Sequence, residues 1–252
     1  MADLRDGVSS VADGVTCISR ASVNCYLVET ADGPILVDAG LPRSWKLLQE
    51  ALGALRLTAD DLVSVYLTHG HFDHVGMCDR LMREHHVPVH VHEKDRFLVR
   101  HPYRYAHELP RAMYPFRYPG GLPTLFRMVA AGALGVHGVN ADGDVRPDAG
   151  DSALGGLVPV WSPGHTFGHC GFFLPERGVL FSGDALVTLD PYTGETGPRV
   201  VARAATADSA SAIVALAALA DTDAAIVLPG HGTPYVDGAR RAAKEAAAAG
   251  IS

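Results

Sequence analysis

The stretch Thr68-His69-Gly70-His71-Phe72-Asp73-His74 crowds three imidazoles and a carboxylate between a short apolar run, Val63 to Leu67, and a helical pattern over His74 to His86. A helix through these residues would send His69 and His71 to opposite sides, whereas an extended or tightly turning loop can aim both at one ion. The segment therefore predicts a strand, a ligand-bearing loop and a helix. Neutral imidazole and carboxylate are the usual ligands of zinc and other borderline divalent ions. Four such groups exceed the roughly three protein ligands of one open catalytic zinc, so a second ion is expected if later residues complete its shell. Three positions qualify: His165 after Ser162-Pro163-Gly164, Asp184 after Ser182-Gly183, and His231 after Pro229-Gly230. Each follows a predicted strand and a glycine that permits a sharp turn, so all can gather at one edge of the sheets.

The rest of the chain alternates strands with helices. Strands are predicted at Val15 to Ser19, Val23 to Glu29 and Ile35 to Val37, an opening antiparallel meander with a turn at Ala31-Asp32-Gly33-Pro34. A helix follows over Ser44 to Leu55, with apolar Trp45, Leu48, Leu52 and Leu55 at helical spacing. The helix after the histidine loop should turn Val75, Cys78 and Met82 inward, and Val87 to His92 should be the next strand. A second series has strands at Leu157 to Trp161, Cys170 to Leu174, Val179 to Ser182 and Ala225 to Leu228. Thr206 or Asp208 can cap an alanine-rich helix to Ala220, and Gly238 to Ala249 forms another with Arg241 and Glu245 at supportive spacing. The expected fold class is α/β, two packed sheets with helices outside, in a single domain over residues 1–252.

Composition narrows the function classes. A formal charge of −7 over 252 residues argues against broad attachment to nucleic acid or anionic lipid. No secretory signal is visible, and the longest apolar stretch, Val129 to Val136, falls far short of the roughly 20 residues that span a bilayer. Cys17, Cys25, Cys78 and Cys170 show no Cys-x-x-Cys spacing, which suits a reducing, cytoplasmic setting and buried thiols. The segment Arg96 to His137 stands apart, with seven of the eighteen aromatic residues, six arginines and a single acid, Glu108. Its prolines at 102, 110, 115, 119 and 123 exclude one long helix and predict helical pieces joined by turns.

In these motifs the sequence resembles the metallo-β-lactamase fold superfamily of hydrolases: Thr-His-Gly-His-Phe-Asp-His at 68–74, then His165, Asp184 and His231 in order, with Leu36-Val37-Asp38-Ala39-Gly40 as the early strand-to-loop motif. The resemblance implies an αββα sandwich of two mixed β-sheets around a two-metal site. One ion would take His69, His71 and His165, the other Asp73, His74 and His231, with Asp184 bridging. Asp38 would support ligands rather than bind metal. Zinc is the expected ion, with manganese or iron as alternatives. Such a pair lowers the pKa of bound water from 15.7 to about 7, and Asp73 is the candidate to take the proton released on attack.

The implied activity is hydrolysis of a carboxylic ester, lactone or thioester, in the glyoxalase II-like or lactonase-like branch. Asp184 disfavours a true β-lactamase, and too little chain follows His231 for the extra domain of glyoxalase II. Lactonases that degrade acyl-homoserine lactones carry a tyrosine three residues after the bridging aspartate; here Val187 stands there, with Tyr192 nearby. A phosphodiesterase, an iron-dependent sulfur or oxygen redox enzyme and a non-catalytic binding module are the other readings. Segment 96–137 would serve as a lid offering aromatic surface and arginine charge to a small amphipathic or anionic substrate, or as a homodimer interface. Neither nucleic acid nor stable membrane insertion is expected. His85, His86, His90, His92 and His169 are expected to be structural.

Overall fold

The computed structural model describes residues 6–147 and 155–252. In chain order it opens with β1 (Gly7–Ala12), β2 (Val15–Arg20), β3 (Val23–Val28), β4 (Ile35–Val37) and α1 (Trp45–Ala54), then β5 (Ser64–Tyr66), α2 (Cys78–His85) and β6 (Val89–Val91). The central segment folds as α3 (Arg96–Arg100), α4 (Tyr114–Arg117) and α5 (Leu122–Ala130), followed by β7 (Gly143–Asp144). The second half supplies β8 (Val158–Trp161), β9 (Cys170–Leu174), β10 (Val179–Gly183), β11 (Val187–Leu189), β12 (Thr196–Arg199), α6 (Ser209–Asp221), β13 (Ile226–Pro229) and α7 (Ala239–Ala249).

One sheet holds seven strands in the order β1 to β7, antiparallel through β4 and parallel from β4 onward. The other runs β13-β10-β9-β8, with only the β10–β13 pair parallel. Side chains that alternate along the strands divide the core into three layers. Cys25 and Leu27 of β3, Leu36 of β4 and Val65 of β5 pack with Leu48 and Leu52 of α1 and Leu81 of α2. Their neighbours Tyr26, Val28, Ile35, Val37 and Tyr66 face the opposite sheet and meet Phe172, Val179, Phe181 and Leu228. Leu180 and Val227 point outward again, onto Leu216 and Leu219 of α6 and Ala242 and Ala246 of α7. Burial on both faces explains why these strands read as almost unbroken apolar runs. The expected αββα order is present.

Local differences have local causes. The helix predicted from His74 starts at Cys78, because Gly76 is held against the preceding loop: its N–H donates to Gly40 O at 2.8 Å, and a Cβ there would lie 2.3 Å from that oxygen. Val75 and Cys78 are buried as expected, but Leu81 rather than Met82 is the fully buried residue of the next turn. The sequence reading did not find β1, β7, β11 or β12; β12 reads Thr-Gly-Pro-Arg and carries no apolar alternation. Asp208 is the residue that caps α6, its carboxylate accepting from Ser211 N–H at 3.0 Å. All four cysteines are free and buried. No helix among the described residues is long and apolar enough to cross a membrane.

Candidate metal centre

Each candidate ligand sits just beyond the end of a strand, where the chain leaves the sheet and turns. The loop after β5 carries His69, His71, Asp73 and His74; the loop after β8 carries His165; Asp184 follows β10 and His231 follows β13. All seven are buried. Their donor atoms form three overlapping groups, His69 with His71 and His165, His69 with His74 and Asp184, and Asp73 with His74 and His231, each within 4.8 Å. Asp184 lies in the middle: Oδ2 is 3.2 Å from His231 Nε2 and 3.5 Å from His165 Nε2, while Oδ1 is 3.5 Å from His74 Nε2. Gly230 leaves room for this carboxylate, since a Cβ there would stand 2.1 Å from Asp184 Oδ1.

Hydrogen bonds behind the cluster fix which nitrogen faces it. Asp38, in the left-handed region at φ 60°, accepts from Thr68 N–H at 2.8 Å and places Oδ2 2.9 Å from His74 Nδ1. Thr68 Oγ1 donates to the same carboxylate and lies 3.0 Å from His69 Nδ1. His231 Nδ1 donates to Ser22 O at 3.1 Å. Asn24 donates to Pro229 O at 3.0 Å and Gly232 O at 2.8 Å, and Tyr26 hydroxyl to Pro229 O at 2.7 Å, so the first sheet grips the His231 loop on both sides. Asp38 thus has the supporting position expected of it.

Two further residues position ligands. His169 shares its Nδ1 with Ser162 Oγ at 2.9 Å and accepts Asp184 N–H on Nε2 at 3.1 Å, and burial lowers its pKa to about 3. Its expected structural role is to seat Asp184. Asp95, which the sequence reading missed, joins two ligand loops: Oδ2 accepts Gly70 N–H at 3.0 Å and Thr166 Oγ1–H at 2.7 Å, and Oδ1 accepts Gly168 N–H at 2.8 Å. Burial pushes its carboxyl up to about 6 against these three donors. Its one signal in the sequence is its place just beyond a strand, β6.

The remaining histidines stand apart from these groups. His90 stacks on Tyr66 at 5.0 Å, His92 meets Trp161 at a tilt with centroids 4.5 Å apart, and His85 lies 2.7 Å from Asp60 Oδ1 and stacks on Trp45.

The cluster fits divalent metal. His69 Nε2, His74 Nε2 and Asp184 Oδ1 are buried without a hydrogen-bond partner, and His71 Nδ1 and His165 Nε2 approach to 3.0 Å. Buried polar atoms in such numbers call for a shared cation. Burial drives the pKa of His69 and His71 well below the usual value and that of His165 to about 4, which keeps them neutral as ligands must be. Burial also disfavours charge on His74 and His231, but Asp38 and Asp184 outweigh it at His74, and Asp184 with Asp73 raises His231 to about 10. Burial likewise opposes charge on Asp184, yet His231 and His74 hold its carboxylate well below the usual range.

The cavity over this cluster measures about 20 Å³, room for little more than one water molecule. Tyr105 closes one side, its ring centroid 4.0 Å from that of His71 and its hydroxyl 2.9 Å from Tyr192 hydroxyl. Leu125 and Met128 also line it. Val187, three residues after Asp184, is fully buried in the core and does not line the cavity, whereas Tyr192 does.

The sequence model of the metallo-beta-lactamase superfamily matches residues 18–231. The uncharacterized protein YobT of Bacillus subtilis (strain 168) is 32% identical over 65% of this chain, which spans 61% of YobT's length. The probable metallo-hydrolase YflN of the same organism is 27% identical over 75% of this chain and 71% of its own. Among solved structures, the metallo-beta-lactamase family protein TTHA1429 of Thermus thermophilus superposes with TM-score 0.64 at 29% identity, covering 90% of this chain and 74% of that one. TTHA1623, solved in a di-iron-bound form, gives TM-score 0.59 at 28% identity over 87% of this chain and 92% of that one. A match that runs from β2 to His231, over a sandwich whose loops bring histidines and aspartates together, makes this chain a member of the metallo-β-lactamase superfamily.

Proposed function

We propose that the chain is a two-metal hydrolase of a carboxylic ester, lactone or thioester. The observation that carries this reading is Asp184, a single carboxylate at the centre of the cluster, with Oδ2 near both His165 and His231 and Oδ1 near His74. His69, His71 and His165 would hold one ion, Asp73, His74 and His231 the other, and Asp184 would serve both. Two bound divalent ions supply a water activated at neutral pH and a Lewis acid for the electrophile. Asp73 lines the cavity, its Oδ2 3.3 Å from His231 Nε2, and would take the proton released from the attacking water and return it to the leaving group. Burial raises the phenols of Tyr105 and Tyr192, so both stay protonated, and whichever accepts in their shared hydrogen bond keeps its own proton for a substrate oxygen.

The walls favour an acyl compound over a phosphodiester. Leu125, Met128, Val201 and Ala205 line the metal cavity, and no lysine or arginine does among the described residues; a phosphodiester would call for cationic side chains around its charged oxygens. Zinc is the proposed ion, and iron is the alternative raised by the di-iron form of TTHA1623. Segment 96–137 is read as a lid, supported by Tyr105, Leu125 and Met128 in the cavity wall. Free buried cysteines support a cytoplasmic setting. The test is to quantify bound metal and then assay lactones, thioesters, aryl esters and phosphodiesters side by side. Turnover of an acyl substrate by zinc-loaded protein is expected; exclusive phosphodiester turnover, or oxygen consumption by an iron-loaded form, would overturn the reading.

A further inference from the structure

A second concavity of about 190 Å³ lies beside the metal cavity and shares two wall residues with it, His165 and Tyr105. Its remaining lining is mainly apolar: Phe97 and Leu98 from α3, Phe167 from the His165 loop, and Ala106 and Ala207. Phe97 and Phe167 are each 56% exposed, so folding leaves two aromatic rings in water at a hollow next to the histidine and aspartate cluster. Exposed apolar surface gathered around a concavity marks a binding site more often than isolated apolar residues do.

The charges of the lining restrict what can enter. Lys94 and Arg104 are exposed at the edge, and Arg104 makes no ion pair among the described residues. The single acid, Asp95, is buried and taken up by Gly70, Thr166 and Gly168. A cationic chain therefore finds no counter-charge, while a neutral one meets apolar walls. The volume sets the size: it is below the roughly 300–1,000 Å³ of pockets that take a whole drug-sized molecule, and close to the roughly 150 Å³ apolar cavity that accepts a benzene ring. One arm of a substrate fits, of about six carbons.

We infer that this groove binds the acyl chain of the substrate, a short uncharged chain whose carbonyl lies at the metal cavity and whose tail runs past His165 and Tyr105 between Phe97 and Phe167. The inference rests on the acyl-hydrolase reading above and names its substrate class: short-chain acyl esters, thioesters or lactones, rather than acetyl or long-chain ones.

The test reads one chain-length series in two ways, on metal-loaded protein. With a constant leaving group and acyl chains of two, four and six carbons, kcat/KM is expected to climb about fourfold for each methylene buried. Calorimetric titration with acetate, butyrate and hexanoate should show the same climb without any turnover. Ala106→Trp, and independently Ala207→Phe, should flatten both slopes by filling the groove. Equal binding of acetate and hexanoate, or a climb that survives both variants, overturns the groove. Absence of ester and thioester turnover while hexanoate still binds more tightly than acetate overturns the hydrolase reading instead, and supports the groove.

Discussion

Asp38 Oδ2 and His74 Nδ1 stand 2.9 Å apart, and that contact decides the tautomer of a ligand. In the neutral ring that a metal ligand needs, the carboxylate beside Nδ1 favours the proton there, which leaves the Nε2 lone pair toward Asp184. Asp38→Asn tolerates the left-handed backbone but turns an amide N–H toward Nδ1, which moves the ring proton to Nε2. Affinity for one of the two ions should fall by about 10–100-fold. Chelator competition on purified protein checks this, and two undiminished affinities would contradict it.

Asp73→Asn keeps an oxygen for the cavity and loses the base. Turnover should drop by about 10²–10⁴-fold while the ion proposed to sit among His69, His71 and His165 stays bound. Metal quantification beside steady-state kinetics separates the two effects; unchanged kcat would reject the proton-transfer role.

Asp95→Ala leaves three donors, on Gly70, Thr166 and Gly168, without their acceptor. Each orphan costs about 1–3 kcal/mol, offset in part by no longer burying a carboxylate, so a net loss of about 2–4 kcal/mol is expected. At about 2–4 °C per kcal/mol for a chain of this size, Tm should fall by about 5–15 °C. Calorimetry of the metal-free protein gives the answer, and a shift under about 2 °C would show that Asp95 does not tie the loops.

Metal uptake should release protons. In the metal-free cluster His231 holds its proton up to about pH 10, and His74 is raised in the same direction, yet both must be neutral to bind. Loading at pH 7 is therefore expected to expel about two protons, and affinity should fall as pH falls. The same raised values stabilise the metal-free fold fully below about pH 6.5, the unfolded value, and that contribution is lost as pH rises through about 10. Titrations in buffers of different ionisation enthalpy measure the release, and a buffer-independent heat would refute it.

The seven-residue cluster was legible because each member is a histidine or aspartate placed where a strand gives way to a glycine-containing turn, a pattern local enough to see in sequence. Asp38 was read from the family resemblance of Leu-Val-Asp-Ala-Gly rather than from such a pattern. Asp95 and His169 could not, because what they do depends on groups far along the chain: Thr166 for one, the Asp184 amide for the other. The start of α2 was misplaced because the approach of Gly76 to Gly40 is a contact between loops, which side-chain periodicity does not register. Tyr105 was visible only as one aromatic among seven in its segment; its place over His71 depends on how α3 and the turns after it pack.

The grip of Asn24 and Tyr26 on the chain around His231 uses backbone carbonyls and owes nothing to any cation. Donor spacing is accordingly a property of the polypeptide, set before an ion arrives. Selection among ions is then expected to follow radius and preferred geometry, as a gauge passes or rejects a part, and one ion should exchange for another without unfolding.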